Sequence, residues 1–189
     1  MTKSIMLVGV GGQGTLLASR VLGTLLTNKG FDVKVSEVHG MAQRGGSVVT
    51  YVRYGEKVYS PVVDLGTADM IVSFERLEAL RYALYAKKDG VIIYNDQRIN
   101  PVPVITGAAE YPEGIYEQIC AVVPNTTRVD ALALANEAGS AKAVNIALLG
   151  LLAKRSEFEK EDWIEAVRAC VPEKFLELNL KAFELGYNL

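Results

Sequence analysis

The fold of this chain is decided near its start, by the stretch Ile5-Met6-Leu7-Val8-Gly9-Val10-Gly11-Gly12-Gln13-Gly14. Its first four residues form an unbroken apolar run, which is typical of a strand buried on both faces. The run continues into a Gly-x-Gly-x-x-Gly pattern at Gly9–Gly14, and apolar residues at helical spacing then continue to Asn28-Lys29-Gly30. Phe31–Glu37 alternates like a second strand. The first forty residues therefore predict a strand, a glycine turn, a helix and a second strand.

The rest of the chain extends this α/β pattern. We predict a β-hairpin near residues 47–60, with Gly55-Glu56 as its turn, because two β-branched or aromatic segments flank that pair. Further strands are predicted at Asp69–Phe74, Val91–Tyr94 and Ile119–Pro124. A helix is predicted at Glu75–Ala86. The segment from Asn95 to Pro112 is predicted to be an irregular loop that includes an extended piece at 102–104. Four helices are predicted after residue 128. We expect residues 1–189 to form a single domain: a three-layer α/β/α fold with a mixed, mostly parallel sheet and a helical C-terminal region.

The glycine turn allows three interpretations. Its backbone N–H groups, at a helix start, could receive a phosphate or another anion, which makes Gly9, Gly11, Gly12, Gln13 and Gly14 candidate cofactor-binding residues. Glu37, at the end of the second strand, could bind a ribose if that ligand were a dinucleotide. Alternatively, the glycines serve only close packing between helix and strand. Gln13 could also simply cap the helix.

A second candidate site is the loop Val38-His39-Gly40-Met41-Ala42-Gln43-Arg44-Gly45-Gly46-Ser47, which follows the second strand. His39 is the only histidine of the chain and could act as a general acid–base or bind a carboxylate, although a lone histidine is often structural. Arg44 could offer a bidentate fork to a carboxylate or phosphate, or pair with an acid such as Glu37. We take His39 and Arg44 as tentative catalytic residues of a site shared with a partner subunit. Asn145, inside an apolar helix, is expected to tie that helix to a neighbouring loop or subunit.

Composition excludes several functions. A net charge of −2 and the lack of Lys or Arg runs argue against nucleic-acid binding. The apolar run Ala143–Ala153 is too short to cross a bilayer, so we expect a soluble, cytoplasmic protein. With two cysteines and one histidine, no metal site is predicted, and four thiolates for an iron–sulfur cluster are lacking. The sequence also contains no Ser-His-Asp order, no phosphate-loop lysine and no thiamine diphosphate motif.

The glycine turn and the block from Ser36 to Ser47 together resemble the gamma-type subunit or domain of the 2-oxoacid:ferredoxin oxidoreductases, most closely the small subunit of the indolepyruvate branch. Further matches lie throughout the chain, at Val58–Pro61, Glu75–Tyr82, Val144–Gly150 and Val171–Glu184. The resemblance thus spans nearly the whole sequence. It implies a three-layer fold with a mixed sheet, in agreement with the prediction from the residues.

The resemblance also implies a function. Such a chain would be the small, cofactor-poor subunit of an enzyme that oxidatively decarboxylates a 2-oxoacid, here indolepyruvate or another aryl pyruvate, with coenzyme A accepting the acyl group. Thiamine diphosphate, Mg²⁺ and [4Fe-4S] clusters would be bound by larger partner subunits, with ferredoxin as electron acceptor. The isolated chain would be inactive, and could form a homodimer in place of the missing partner.

Other functions remain open at this point. The chain could be the gamma subunit of a pyruvate, 2-oxoglutarate or 2-oxoisovalerate enzyme. From different classes, it could be a nucleotide-binding regulatory protein with a Rossmann-like fold, or an NAD-dependent dehydrogenase. The predicted hairpin counts against the dehydrogenase, in which a helix is expected after the second strand.

Overall fold

The computed structural model describes residues 2–40 and 45–189. These residues form six strands, which are β1 Lys3–Val10, β2 Asp32–His39, β3 Ser47–Gly55, β4 Ala68–Ser73, β5 Ala86–Asn95 and β6 Thr126–Val129. They also form eight α-helices, which are α1 Thr15–Asn28, α2 Arg76–Tyr82, α3 Val102–Ile105, α4 Ile115–Val122, α5 Ala131–Ala138, α6 Val144–Lys154, α7 Lys160–Cys170 and α8 Leu176–Tyr187.

The six strands form one sheet in the order β2-β3-β1-β4-β5-β6. Strands β1, β4, β5 and β6 are parallel neighbours. Strand β3 lies between β2 and β1 and is antiparallel to both. The predicted mixed, mostly parallel sheet is therefore confirmed.

Helices cover both faces of this sheet. On one face, Ile5 and Leu7 of β1 pack with residues of α1 and α5–α8. On the other, Met6 and Val8 pack with residues of α2 and α4. The apolar run that opens the chain is thus a strand buried on both faces, as predicted, and the fold has the expected three α/β/α layers.

The predicted hairpin at residues 47–60 is wrong in its second half. Strand β3 occupies Ser47–Gly55, but its antiparallel partners are β1 and β2, so neither of its edges is free for a returning strand. The segment after it is held as a loop, in which the Asp32 carboxylate accepts the Val58 N–H at 2.9 Å. Arg53 also donates to the carbonyl of Ser60 at 3.0 Å. Strand β3 instead pairs with β2 as an antiparallel neighbour in sequence.

Two further predictions between β5 and α5 are also wrong. The segment predicted as a strand at Ile119–Pro124 belongs mostly to helix α4, whose buried residues Ile115 and Ile119 are one helical turn apart. The strand that completes the sheet is β6, just after Pro124. The predicted extended piece at residues 102–104 is the short helix α3.

Helix α6 is the most deeply buried helix of the C-terminal region. Ten of its eleven residues are buried, from Val144 to Ala153. It crosses α8 at very short distance, because a Cβ at Gly186 would lie 2.9 Å from the Ala147 carbonyl carbon and overlap its oxygen. Its length and full burial identify it as a core helix. Across the residues that the structure describes, no helix is both long and apolar enough to span a membrane.

Candidate functional site

A cleft of about 470 Å³ opens between the glycine turn, the start of α1 and the end of β2. It brings together two features that lie some 25 residues apart in sequence. The residues that line it are Gly11, Gly12, Gly14, Thr15, Leu16, Glu37, His39 and Val48. Four of the predicted site residues, Gly11, Gly12, Gly14 and His39, are therefore part of one concave surface at the carboxyl end of β1, where α/β sheets commonly bind ligands.

The glycine turn presents backbone donors to this cleft. The first hydrogen bond of α1 runs from the Ala18 N–H to the Gly14 carbonyl at 3.2 Å, so the N–H groups of Thr15, Leu16 and Leu17 have no acceptor within the helix. Gly12 has a φ of +97° and would give an added Cβ open space. Donors at the start of a helix favour an anion through both hydrogen bonding and the helix dipole.

The turn is also tied to the loop that follows β2. The Gly11 N–H donates to the Gly46 carbonyl at 2.9 Å, and the Gly40 N–H donates to the Ser47 carbonyl at 3.2 Å. These bonds close the end of the β2–β3 hairpin against the glycine turn. The ends of the loop are therefore fixed next to the cleft.

Gly9 and Gln13 are not among the residues that line the cleft, and they contact the segment that follows β4. The Gln13 Oε1 accepts the Val10 N–H at 2.9 Å, and its Nε2 donates to the Phe74 carbonyl at 2.9 Å and to Gln97 Oε1 at 3.3 Å. A Cβ at Gly9 would lie 2.8 Å from Gln13 Oε1 and 3.0 Å from the Phe74 Cβ. Gln13 is thus not a helix cap, because it bridges the turn to β4 and the segment after β5, and Gly9 leaves room for it.

The prediction for Asn145 is confirmed within the chain. Its Nδ2 donates to the Gly14 carbonyl at 3.2 Å, and its Oδ1 accepts the Ile146 N–H at 2.9 Å. A Cβ at Gly14, where φ is +81°, would lie 2.6 Å from that Nδ2. The packing interpretation of the turn therefore holds at Gly9 and Gly14, and Gly14 also lines the cleft together with Gly11 and Gly12.

His39 and Glu37 project from the edge strand β2, and both are exposed. They are two residues apart, so they share a face of the sheet. Glu37 Oε2 accepts a hydrogen bond from Thr50 Oγ1 at 3.1 Å. Arg44 lies outside the described residues, so both its fork and its pairing with Glu37 stay predictions.

The sheet order weakens the dinucleotide interpretation. In a Rossmann sheet, the acidic residue that binds ribose ends the strand next to β1. Here β3 separates β2 from β1, which places Glu37 one strand spacing, about 4.8 Å, further from the turn. The strand order reverses between β1 and β4, and there Gln13, which follows β1, donates to the carbonyl of Phe74, which follows β4.

Chemically, the cleft offers backbone donors, an imidazole and a carboxylate. It can bind and orient an anionic or polar group. Its described lining contains no cysteine, serine or lysine that could act as a nucleophile. Among the described residues, no three His, Cys, Asp or Glu side chains come together as a metal site would require.

Sequence reasoning missed a polar network next to this site. Asn95 is 1% exposed, and its Nδ2 donates to the Phe74 carbonyl and to Gln97 Oε1, both at 3.2 Å. Its Oδ1 accepts the Ala131 N–H at 3.0 Å, which joins α5 to the same edge of the sheet. Glu75 is also 1% exposed and follows β4. A polar residue directly after a buried apolar strand was the available signal at both positions.

The fold and the cleft thus define an α/β chain with a mixed sheet and a polar cleft at the carboxyl edge of that sheet. The chain belongs to the pyruvate ferredoxin/flavodoxin oxidoreductase family, whose family model matches residues 4–189. This confirms the resemblance seen in the sequence.

Relatives and solved structures agree with this membership. The chain is 44% identical to indolepyruvate oxidoreductase subunit IorB from Pyrococcus horikoshii and 43% identical to that from Thermococcus kodakarensis, in each case over 97% of this chain and 93% of the relative. Ketoisovalerate oxidoreductase subunit VorA from Methanothermobacter marburgensis is 28% identical, and the match covers 35% of its length. The gamma subunit of a keto/oxoacid ferredoxin oxidoreductase from Geobacter sulfurreducens superposes with a TM-score of 0.72 at 26% identity, over 98% of this chain and 96% of that one.

Proposed function

We propose that this chain is the small subunit of an indolepyruvate:ferredoxin oxidoreductase, which decarboxylates an aryl pyruvate oxidatively and transfers the acyl group to coenzyme A. One observation carries the substrate assignment. Identity to subunits named for indolepyruvate is 34–44% over 97–100% of this chain, whereas it is 25–28% to subunits named for ketoisovalerate or for pyruvate and ketoisovalerate. The indolepyruvate branch is therefore favoured over the other branches.

The redox cofactors of such an enzyme do not fit this chain. A [4Fe-4S] cluster takes four thiolates, whereas the chain has two cysteines, which lie on α4 and α7 and are both half-buried free thiols. We propose that larger partner subunits hold the clusters, thiamine diphosphate and Mg²⁺, and that ferredoxin accepts the electrons from the complex. Free thiols are usual in a reducing compartment, which supports a cytoplasmic location.

The cleft is the part of this chain that fits the chemistry. A 2-oxoacid and coenzyme A both bring negative charge, and the N–H groups at the start of α1 are fixed donors for such a group. His39 would add an imidazole donor to this cleft, and Arg44 would contribute a planar cation to the same role. The proposed role of this chain is to bind and orient an anionic group at a site completed by the partner.

The proposal is tested by purifying the chain alone and with the larger chain that accompanies it in native cells. We expect the isolated chain to be colourless, to bind no thiamine diphosphate and to lack oxoacid oxidation. The complex should contain iron and thiamine diphosphate and should reduce ferredoxin when indolepyruvate and coenzyme A are present. Stoichiometric iron in the isolated chain, after adventitious metal has been removed, would contradict the proposal.

A further inference from the structure

We infer that a second anion site, suited to a diphosphate group, lies beside the segment that follows β5, where the Arg76 N–H donates to the Gln97 carbonyl at 3.1 Å. It is a cavity of about 470 Å³ that we call the arginine pocket, and its lining includes Arg76, Arg98, Glu110, Tyr111, Glu113 and Gly114. Arg76 begins α2 after β4, and Arg98 follows β5. The pocket is therefore at the carboxyl edge of two neighbouring parallel strands, a common ligand position in such sheets.

Two guanidinium groups converge in this pocket on one aromatic ring. The Arg98 Cζ lies 4.2 Å and the Arg76 Cζ 5.2 Å from the centroid of the Tyr111 ring. A face of an aromatic ring attracts such cations and keeps their planar donor forks oriented. Two like charges held next to one ring favour the binding of a multiply charged anion between or beside them.

The ring that holds the two cations is itself rigidly anchored. The Tyr111 hydroxyl donates to the buried Glu75 carboxylate at 2.6 Å and accepts a hydrogen bond from Arg76 Nε at 3.4 Å. Glu75 also accepts the N–H groups of Leu77 at 2.5 Å and Glu78 at 2.9 Å, so it caps α2. The platform is therefore fixed before any ligand arrives, which reduces the entropy lost on binding.

In the described part of the chain, no carboxylate oxygen lies closer than 3.7 Å to the guanidinium nitrogens of either arginine. Arg76 Nη1 is 3.7 Å from Asp96 Oδ1, and the same carboxylate is 3.8 Å from Arg128 Nε. Among the described residues, no carboxylate lies within 4.0 Å of Arg98, whose Nε donates to the neutral Asn100 Oδ1 at 2.8 Å. Fork-shaped cations with spare donors match phosphate oxygens in geometry as well as charge.

The wall opposite the arginines adds backbone donors and also two acids. Gly114 precedes α4, and the first hydrogen bond of that helix is from Gln118 N to the Gly114 carbonyl at 3.0 Å, which leaves the preceding helical N–H groups without helical acceptors. Glu110 and Glu113 are both exposed at the rim. They lower the affinity for an anion, so removal of one acid should tighten binding while removal of one arginine should weaken it.

The test is calorimetric titration of the full-length chain with inorganic pyrophosphate at constant ionic strength. We expect saturable binding that Arg98→Gln weakens about tenfold, as expected for the loss of one charged hydrogen-bonded contact. Arg98→Lys should restore only part of the affinity, because the charge stays but the planar fork is lost. Glu113→Gln should tighten binding, and Arg168→Gln, which removes an exposed charge on α7, should leave it unchanged. Thermal melts confirm that each variant is folded.

Titrations with ADP and with coenzyme A identify the source of the diphosphate. Equal affinity for pyrophosphate and ADP would show that the pocket recognises the diphosphate alone, and tighter binding of ADP or coenzyme A would show a nucleotide ligand. The inference would be overturned by absence of saturable binding. It would also be overturned if Arg98→Gln left the affinity unchanged, as would happen if the anion bound at the glycine turn. Equal losses of affinity in Arg98→Gln and Arg168→Gln would overturn it as well. Because no partner subunit is needed, the result is independent of the proposed enzyme activity.

Discussion

Replacing Gly14 and Gly12 by alanine, one at a time, separates the two roles of the glycine turn. Both residues have positive φ values, +81° and +97°, so alanine at either position incurs about 1–2 kcal/mol of backbone strain. At Gly12 nothing else opposes the new methyl group, because no atom lies within 4 Å of it. At Gly14 the methyl group would lie 2.6 Å from Asn145 Nδ2. Crowding of this kind adds about 1–3 kcal/mol.

We therefore expect the free energy of unfolding to fall by about 1–2 kcal/mol for Gly12→Ala and by about 2–5 kcal/mol for Gly14→Ala. Urea denaturation followed by circular dichroism measures both. A double-mutant cycle with Asn145→Ala isolates the contact, because removal of the amide makes room for the new methyl group. Gly14→Ala should then be markedly less destabilising in the Asn145→Ala background. Equal effects at Gly12 and Gly14, or simple additivity with Asn145→Ala, would refute this account of the turn.

Three further predictions concern other parts of the chain. Gly186→Ala should lower the free energy of unfolding by about 3 kcal/mol or more, because its methyl group would overlap the backbone of α6. The control is Gly23→Ala in α1, where a methyl group has open space, and it should be neutral or stabilising by up to about 1 kcal/mol in the same urea titration. A loss of stability at Gly186 no larger than at Gly23 would contradict the close helix crossing. Burial raises the pKa of Tyr94 from 10.0 to about 12, so the unfolded chain loses this proton first and stability should fall as the pH rises through that range; Tyr94→Phe should make the fall shallower, and an unchanged slope would argue against it. In the reconstituted complex, Arg44→Ala should slow turnover roughly 30- to 1000-fold, the equivalent of about 2–4 kcal/mol, without dissociating the subunits, and His39→Ala should have a smaller effect. Wild-type rates in folded variants would leave the loop as interface packing.

Local patterns predicted much of the fold. The run Ile5–Val8, the glycine turn and the C-terminal helices were correct because each is specified by residues close together in sequence. The hairpin was misplaced because β3 pairs with β1 and β2. The sequence around Gly55-Glu56 does not determine this pairing. Residues 119–124 were assigned to a strand because a short apolar run fits a buried strand and a buried helix equally well.

The candidate site was predictable only in part, for a similar reason. That the glycine turn and His39 lie near each other follows from the strand–helix–strand order, since both follow the carboxyl ends of strands. Which glycines are required by close packing, namely Gly9 and Gly14, does not follow from their spacing. It depends on two hydrogen bonds between residues distant in sequence. Gln13 donates to the carbonyl of Phe74, just after β4, and Asn145 donates to the carbonyl of Gly14, just before α1.

The measurement that tests the central claim most directly is the substrate preference of the complex with its larger subunit. Initial rates of ferredoxin reduction, with coenzyme A present, would be compared for indolepyruvate, pyruvate, 2-oxoglutarate and 2-oxoisovalerate. We predict that kcat/KM is highest for indolepyruvate, by at least about tenfold, a ratio that even one methylene group in a pocket can give. A complex that prefers pyruvate, 2-oxoglutarate or 2-oxoisovalerate would contradict the assignment, as would full oxoacid oxidation by this chain without a partner.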